Sequence, residues 1–102
     1  MQMKATIPVL LALVSAAAAA DVPQIPPGAR LAATCVACHG TNGATQGNTL
    51  PALAGQPRQT LSDSLRAFKT GLRQSTIMTQ IARGYTDEQL EQLAAYFSAQ
   101  KK

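Results

Sequence analysis

The sequence is poor in metal-binding and redox side chains: 102 residues contain one histidine and two cysteines, and the cysteines stand three positions apart. Cysteines that close together cannot close a long disulfide loop. With the single histidine they fall short of the four ligands of a structural zinc site. A thioredoxin-like redox pair expects a βαβ setting, yet no strand-length stretch after the first twenty residues alternates with period two. There is no internal repeat, and the length allows one domain at most. Charge of one sign is not abundant either. A formal net charge of +4 can steer an acidic partner, but it is too small to argue for nucleic acid, and no nucleic-acid motif accompanies it.

The longest apolar run lies at the start. Lys4 supplies a short positive region, Ile7 to Val14 an apolar one, and Ala18-Ala19-Ala20 the small residues that a signal peptidase needs. Residues 1–20 therefore read as a secretory signal cleaved after Ala20, with residues 21–102 as the mature domain, placed in the periplasm. The competing reading is an uncleaved membrane anchor. The run is short for a span of roughly 20 apolar residues and contains Pro8. No later segment is apolar enough to span a bilayer. Loss of Lys4 lowers the net charge from +4 to +3 and leaves 82 residues, a size that usually needs a staple, a metal or a partner to be stable.

The mature chain reads as all-α. Asp21 to Pro27 is a Pro-rich, extended lead-in. From Gly28 the pattern turns helical, with Leu31, Ala32 and Cys35 on one face, up to Gly40. Thr41 to Gln56 reads as an irregular loop, long enough to be functional or to wrap something. Pro57 suits a first helical position, Leu61, Leu65 and Phe68 mark a buried stripe, and Gly71 suits the C-terminal cap. A short helix is expected from Thr76 to Arg83, with Ser75 as N-cap and Gly84 as stop. Thr86 and Gln89 spell a capping box, Asp87 and Glu88 complement the helix dipole, and Leu90, Leu93, Ala94 and Phe97 mark the buried face of the last helix. Arg66, Lys69 and Arg73 form a basic row that reads more readily as a solvated face than as a docking patch.

Residues 35 to 39 read Cys-Val-Ala-Cys-His, the attachment sequence of a c-type haem. Each thiol can add to one haem vinyl group, and a helical turn sets both at one edge of the ring. His39 then falls beneath the iron as proximal ligand. For the sixth position no second histidine exists. Met1 and Met3 leave with the signal, so Met78 is the one methionine of the mature chain. Its rivals are a methionine filling a core gap, or an open five-coordinate iron suited to gas binding or peroxidase chemistry. Met/His ligation is the electron-transfer arrangement and leaves no position for substrate. That describes a carrier rather than a site of bond chemistry, with no catalytic residue of its own and iron ligands His39 and Met78.

From Gly28 to Gln100 the chain resembles a class I cytochrome c, whose fold is a few helices wrapped around one covalently bound haem with the terminal helices crossing. The resemblance puts the family's proline after the haem motif at Pro51, whose carbonyl accepts a hydrogen bond from the proximal histidine and fixes its ring. It puts a residue that packs on the haem at Leu53, the methionine ligand at Met78, and aromatic positions that meet the N-terminal helix near Gly28 and Leu31 at Tyr96 and Phe97. A narrower likeness rests on Ser75-Thr76-Ile77-Met78, Ile81-Ala82-Arg83-Gly84-Tyr85 and Ala95-Tyr96-Phe97. These are similar to the cytochrome subunit of flavocytochrome c sulfide dehydrogenases. That likeness implies a flavoprotein subunit as electron donor and another redox protein as acceptor. The better-known members carry two haem domains, whereas this sequence has one motif. The alternative is a free-standing soluble carrier between membrane redox complexes.

Overall fold

The computed structural model describes residues 2–6, 8–10, 12, 22–47 and 50–102. The expected processing site, Ala18–Ala20 with Asp21, lies outside them. Every regular element among the described residues is helical: α1 (Pro27–Leu31), α2 (Ala33–His39), a 3₁₀ turn (Thr41–Gly43), α3 (Arg58–Thr70), α4 (Met78–Arg83) and α5 (Asp87–Ser98). The all-α expectation holds. Among the described residues no helix is long and apolar enough to cross a membrane.

The helix expected to run unbroken from Gly28 to Gly40 is two. Ala32, at ψ −15°, separates α1 from α2. The Cys35 N–H bonds back to the Ala32 carbonyl at 2.9 Å, three residues away rather than four, which tightens the turn. Thr34 adds a side-chain bond to the Leu31 carbonyl at 3.4 Å, a local competitor of the backbone ladder. The bend leaves Ala32 buried in the core.

Two further boundaries shift by small steps. Pro57 sits one residue before α3, with extended ψ of 135°. Helix α4 starts at Met78, not Thr76, and its N-cap is Ile77 rather than the expected Ser75; Ser75, two residues further back, accepts the Thr79 N–H at 2.9 Å. Gly71 closes α3 in the left-handed region, at φ 80°, a conformation that costs glycine nothing. The α5 start is as expected. Thr86 Oγ1 accepts from Gln89 N at 3.1 Å, and Gln89 Oε1 accepts from Thr86 N at 2.9 Å.

The core is small. Ala32, Leu61, Leu90, Leu93, Ala94 and Phe97 are buried together, and Leu31, Cys35, Leu53, Leu65, Tyr85 and Tyr96 pack around them. It forms where α5 crosses α1 and lies along α3. Gly28 makes the first crossing close: a Cβ there would run into the Gln92 carbonyl oxygen and stand 2.7 Å from Tyr96 Cβ. Phe97 and Tyr96 meet edge to face, ring centroids 5.2 Å apart. The result is a platform of α1, α3 and α5 that holds α2 and the following loop in place.

Candidate functional site

On α2, Cys35 and Cys38 are one helical turn apart and so face the same way. Both are free thiols; Cys35 is half-buried at the core edge and Cys38 is exposed. Burial pushes the Cys35 thiol above its ordinary range, the Thr34 hydroxyl opposes this, and Cys38 adds to it. His39 ends the helix, buried. Its Nδ1 lies 2.8 Å from the Pro51 carbonyl oxygen. A carbonyl only accepts, so Nδ1 carries the proton, and in the neutral ring the lone pair is left on Nε2. An imidazole oriented in this way is a ready metal ligand.

The loop expected to be irregular is anchored at both ends. It opens with the 3₁₀ turn, and the Gly43 carbonyl accepts from Leu53 N at 2.9 Å and Ala54 N at 3.2 Å. Thr45 Oγ1 lies 3.0 Å from the His39 carbonyl and 3.1 Å from that of Pro51, so one hydroxyl ties the loop to the histidine at its base. Asn42 accepts from the Tyr96 hydroxyl at 3.0 Å. Neither Thr45 nor Asn42 was distinguishable in sequence from other polar loop residues. Leu53 is half-buried against the core. Met78 opens α4, half-buried, in a segment that packs on α3. The Tyr85 hydroxyl, 2.6 Å from Thr34 Oγ1, ties the far end of that segment to α2.

The basic row that begins on α3 keeps Arg66 and Arg73 exposed, as expected of a solvated face, but two of its members are also bonded across to α5. Arg66 pairs with Glu91 at 2.9 Å and Lys69 with Asp87 at 3.0 Å, both across to α5. Arg58 also reaches Glu91, at 3.6 Å, and buried Ser62 donates to it. Arg73 stacks over the Phe68 ring, 4.7 Å from its centroid.

Among the described residues, no three His, Cys, Asp or Glu side chains are grouped to hold a metal ion. The donor set on α2 is an oriented imidazole and two neighbouring thiols on one helix turn, which fits a group attached through sulfur. Residues 25–101 match the sequence model of the family described as Cytochrome c. The chain belongs to the cytochrome c family. This cytochrome is 41% identical over 71 residues to cytochrome c-554(548) of Halomonas halodenitrificans, over 67% of this chain and 86% of that protein. It is 37% identical over 70 residues to the cytochrome subunit of sulfide dehydrogenase of Chlorobaculum tepidum, over 69% of this chain and 63% of that one. Cytochrome c4 of Pseudomonas aeruginosa is 38% identical over 74 residues, over 72% of this chain. The match spans 37% of cytochrome c4. Membership brings a covalently bound haem c and electron transfer; when bound, its iron supplies a one-electron ferric/ferrous couple.

Proposed function

We propose that this cytochrome is the haem subunit that accepts electrons from a flavoprotein sulfide dehydrogenase, working in the periplasm after cleavage of residues 1–20. Cys35 and Cys38 form the two thioethers, and His39 and Met78 ligate the iron. Pro51 holds the imidazole through its carbonyl, and Leu53 packs on the ring. The observation that carries the ligand assignment is the 2.8 Å bond from His39 Nδ1 to Pro51; it dictates the tautomer that ligation through Nε2 requires. Support for the partner is the 37% identity to a sulfide dehydrogenase cytochrome subunit, together with the Ser75 to Tyr85 segment around Met78. With both axial positions filled by protein, this chain binds no substrate at iron. It accepts an electron singly from the flavin side and passes it on to another redox protein.

A second reading, a free-standing carrier, is favoured by the 86% of cytochrome c-554(548) that one such domain accounts for. A visible spectrum of the protein purified gently from its native periplasm, with and without sulfide, separates the two. Flavin absorbance beside the haem bands, with haem reduction on adding sulfide, is the expected result. A haem-only spectrum with no catalysed reduction leaves the free carrier.

A further inference from the structure

The half-buried Thr45 side chain touches both ends of the His39 support. Its Oγ1 stands 3.0 Å from the His39 carbonyl oxygen and 3.1 Å from that of Pro51. The Pro51 oxygen is the same one that lies 2.8 Å from His39 Nδ1. The turn after the histidine builds this contact. Gly40, at φ 86°, sends the chain back so closely that a Cβ there would run into the Ala44 carbonyl oxygen and stand 3.2 Å from Thr45 Cα. Glycine takes up that backbone without strain.

A carbonyl oxygen has two lone pairs, and at Pro51 they meet two donors, the imidazole N–H and the Thr45 hydroxyl. The hydroxyl has one proton, which it shares between the two carbonyls. Two donors on one oxygen draw on the same electron density, so each weakens the hold of the other. The Nδ1 proton is drawn toward Pro51 less than it would be with the imidazole as sole donor. How far that proton is drawn sets how strongly Nε2 donates to a metal.

We propose that Thr45 is a positioning residue that tunes the iron's potential through His39. Its hydroxyl on the Pro51 carbonyl holds the imidazole to moderate donor strength, and moderate donation favours the ferrous state relative to strong donation. The proposal rests on the reading of His39 as iron ligand and adds a second donor to the bond that orients the ring. The sign of the effect separates tuning from tethering. A hydroxyl that only tied the loop would, when lost, let the His39–Pro51 bond lengthen, weaken donation and raise the potential. A hydroxyl that tunes has the opposite effect, because its loss leaves the whole carbonyl to the imidazole and lowers the potential.

The test compares the haem-loaded wild type with Thr45→Val and Thr45→Ser. Valine sets a methyl where the hydroxyl was and keeps water from replacing it; serine restores the donor. In Thr45→Val the ferrous-to-ferric ratio at a fixed ambient potential is expected to fall by about two- to fivefold, the equilibrium equivalent of one ordinary hydrogen bond. Thr45→Ser is expected to match wild type. Because the chain has a single histidine, labelling histidine with the heavy nitrogen isotope reports this ring alone by magnetic resonance. The Nδ1 proton of reduced Thr45→Val is expected downfield of wild type, as a stronger hydrogen bond requires. An unchanged or higher ferrous fraction in Thr45→Val, a fall without the downfield shift, or a serine variant that behaves like valine would each overturn the tuning role and leave His39 ligation standing. A labelled wild type whose Nε2 is free of iron would overturn the ligation itself, and the tuning role with it.

Discussion

At the scale of single residues, the site depends on what holds each donor rather than on the donors alone. The His39 ring is fixed by Pro51, and the loop that presents Pro51 is tied back through Thr45. In the proposed ligation, replacing Met78 with leucine removes the soft thioether that favours ferrous iron. The expected outcome is an altered visible spectrum and a lower potential by spectroelectrochemistry, and an unchanged spectrum would remove Met78 as ligand. Phe97 is a different case, because it is buried against Ala32, Leu61 and Leu90 and meets Tyr96 edge to face. Phe97→Ala is expected to lower stability by about 3–5 kcal/mol, read by chemical denaturation.

The helices make two predictions of their own. Where α1 crosses α5, the absence of a side chain at Gly28 lets the backbones approach. Gly28→Ala is expected to destabilise by about 1–3 kcal/mol, the usual cost of overpacking. A melting temperature equal to wild type would mean that the helices can part freely. Where α5 begins, Lys69 beside Asp87 holds its carboxyl below the ordinary range, first by hydrogen bond and then by charge. A carboxyl whose folded value is depressed stabilises the fold above its unfolded value of about 3.9, and that contribution is lost as pH falls through the folded one. Thermal melts of Asp87→Asn are therefore expected to fall less steeply than wild type as pH drops below about 4. The pair is exposed and the effect small.

For the molecule as a whole, the main core cluster is small, six buried residues among those described. A domain of this size is marginal without an added constraint. Covalent haem supplies that constraint in this family, so Cys35→Ala and Cys38→Ala together are expected to abolish thioether attachment, read by mass after denaturation, and to lower helix content by far-ultraviolet circular dichroism. Native helix content without covalent haem would show that α1, α3 and α5 fold by themselves. The charge distribution also belongs to this scale. A basic row that begins on α3 folds so that Glu91 and Asp87 of α5 pair with Arg66 and Lys69, while Arg73 lies over the Phe68 ring.

The local chemistry was legible in the sequence alone. Cys35, Cys38 and His39 lie within five residues, the α5 capping box spans Thr86 to Gln89, and the apolar stripes recur at helical spacing; such signals need no distant partner. The bend at Ala32 was not legible, because periodicity counts faces and is blind to a three-residue hydrogen bond replacing a four-residue one. Nor was Thr45, whose bonds join carbonyls on either side of a loop. The fate of Arg66 and Lys69 depended on Glu91 and Asp87, roughly twenty residues away in sequence and across a helix interface in space. Residue order determined the donors and the helices; only tertiary packing decided which charges are cancelled and how the loop that presents Pro51 to His39 is held, because those contacts join residues that are not neighbours in sequence.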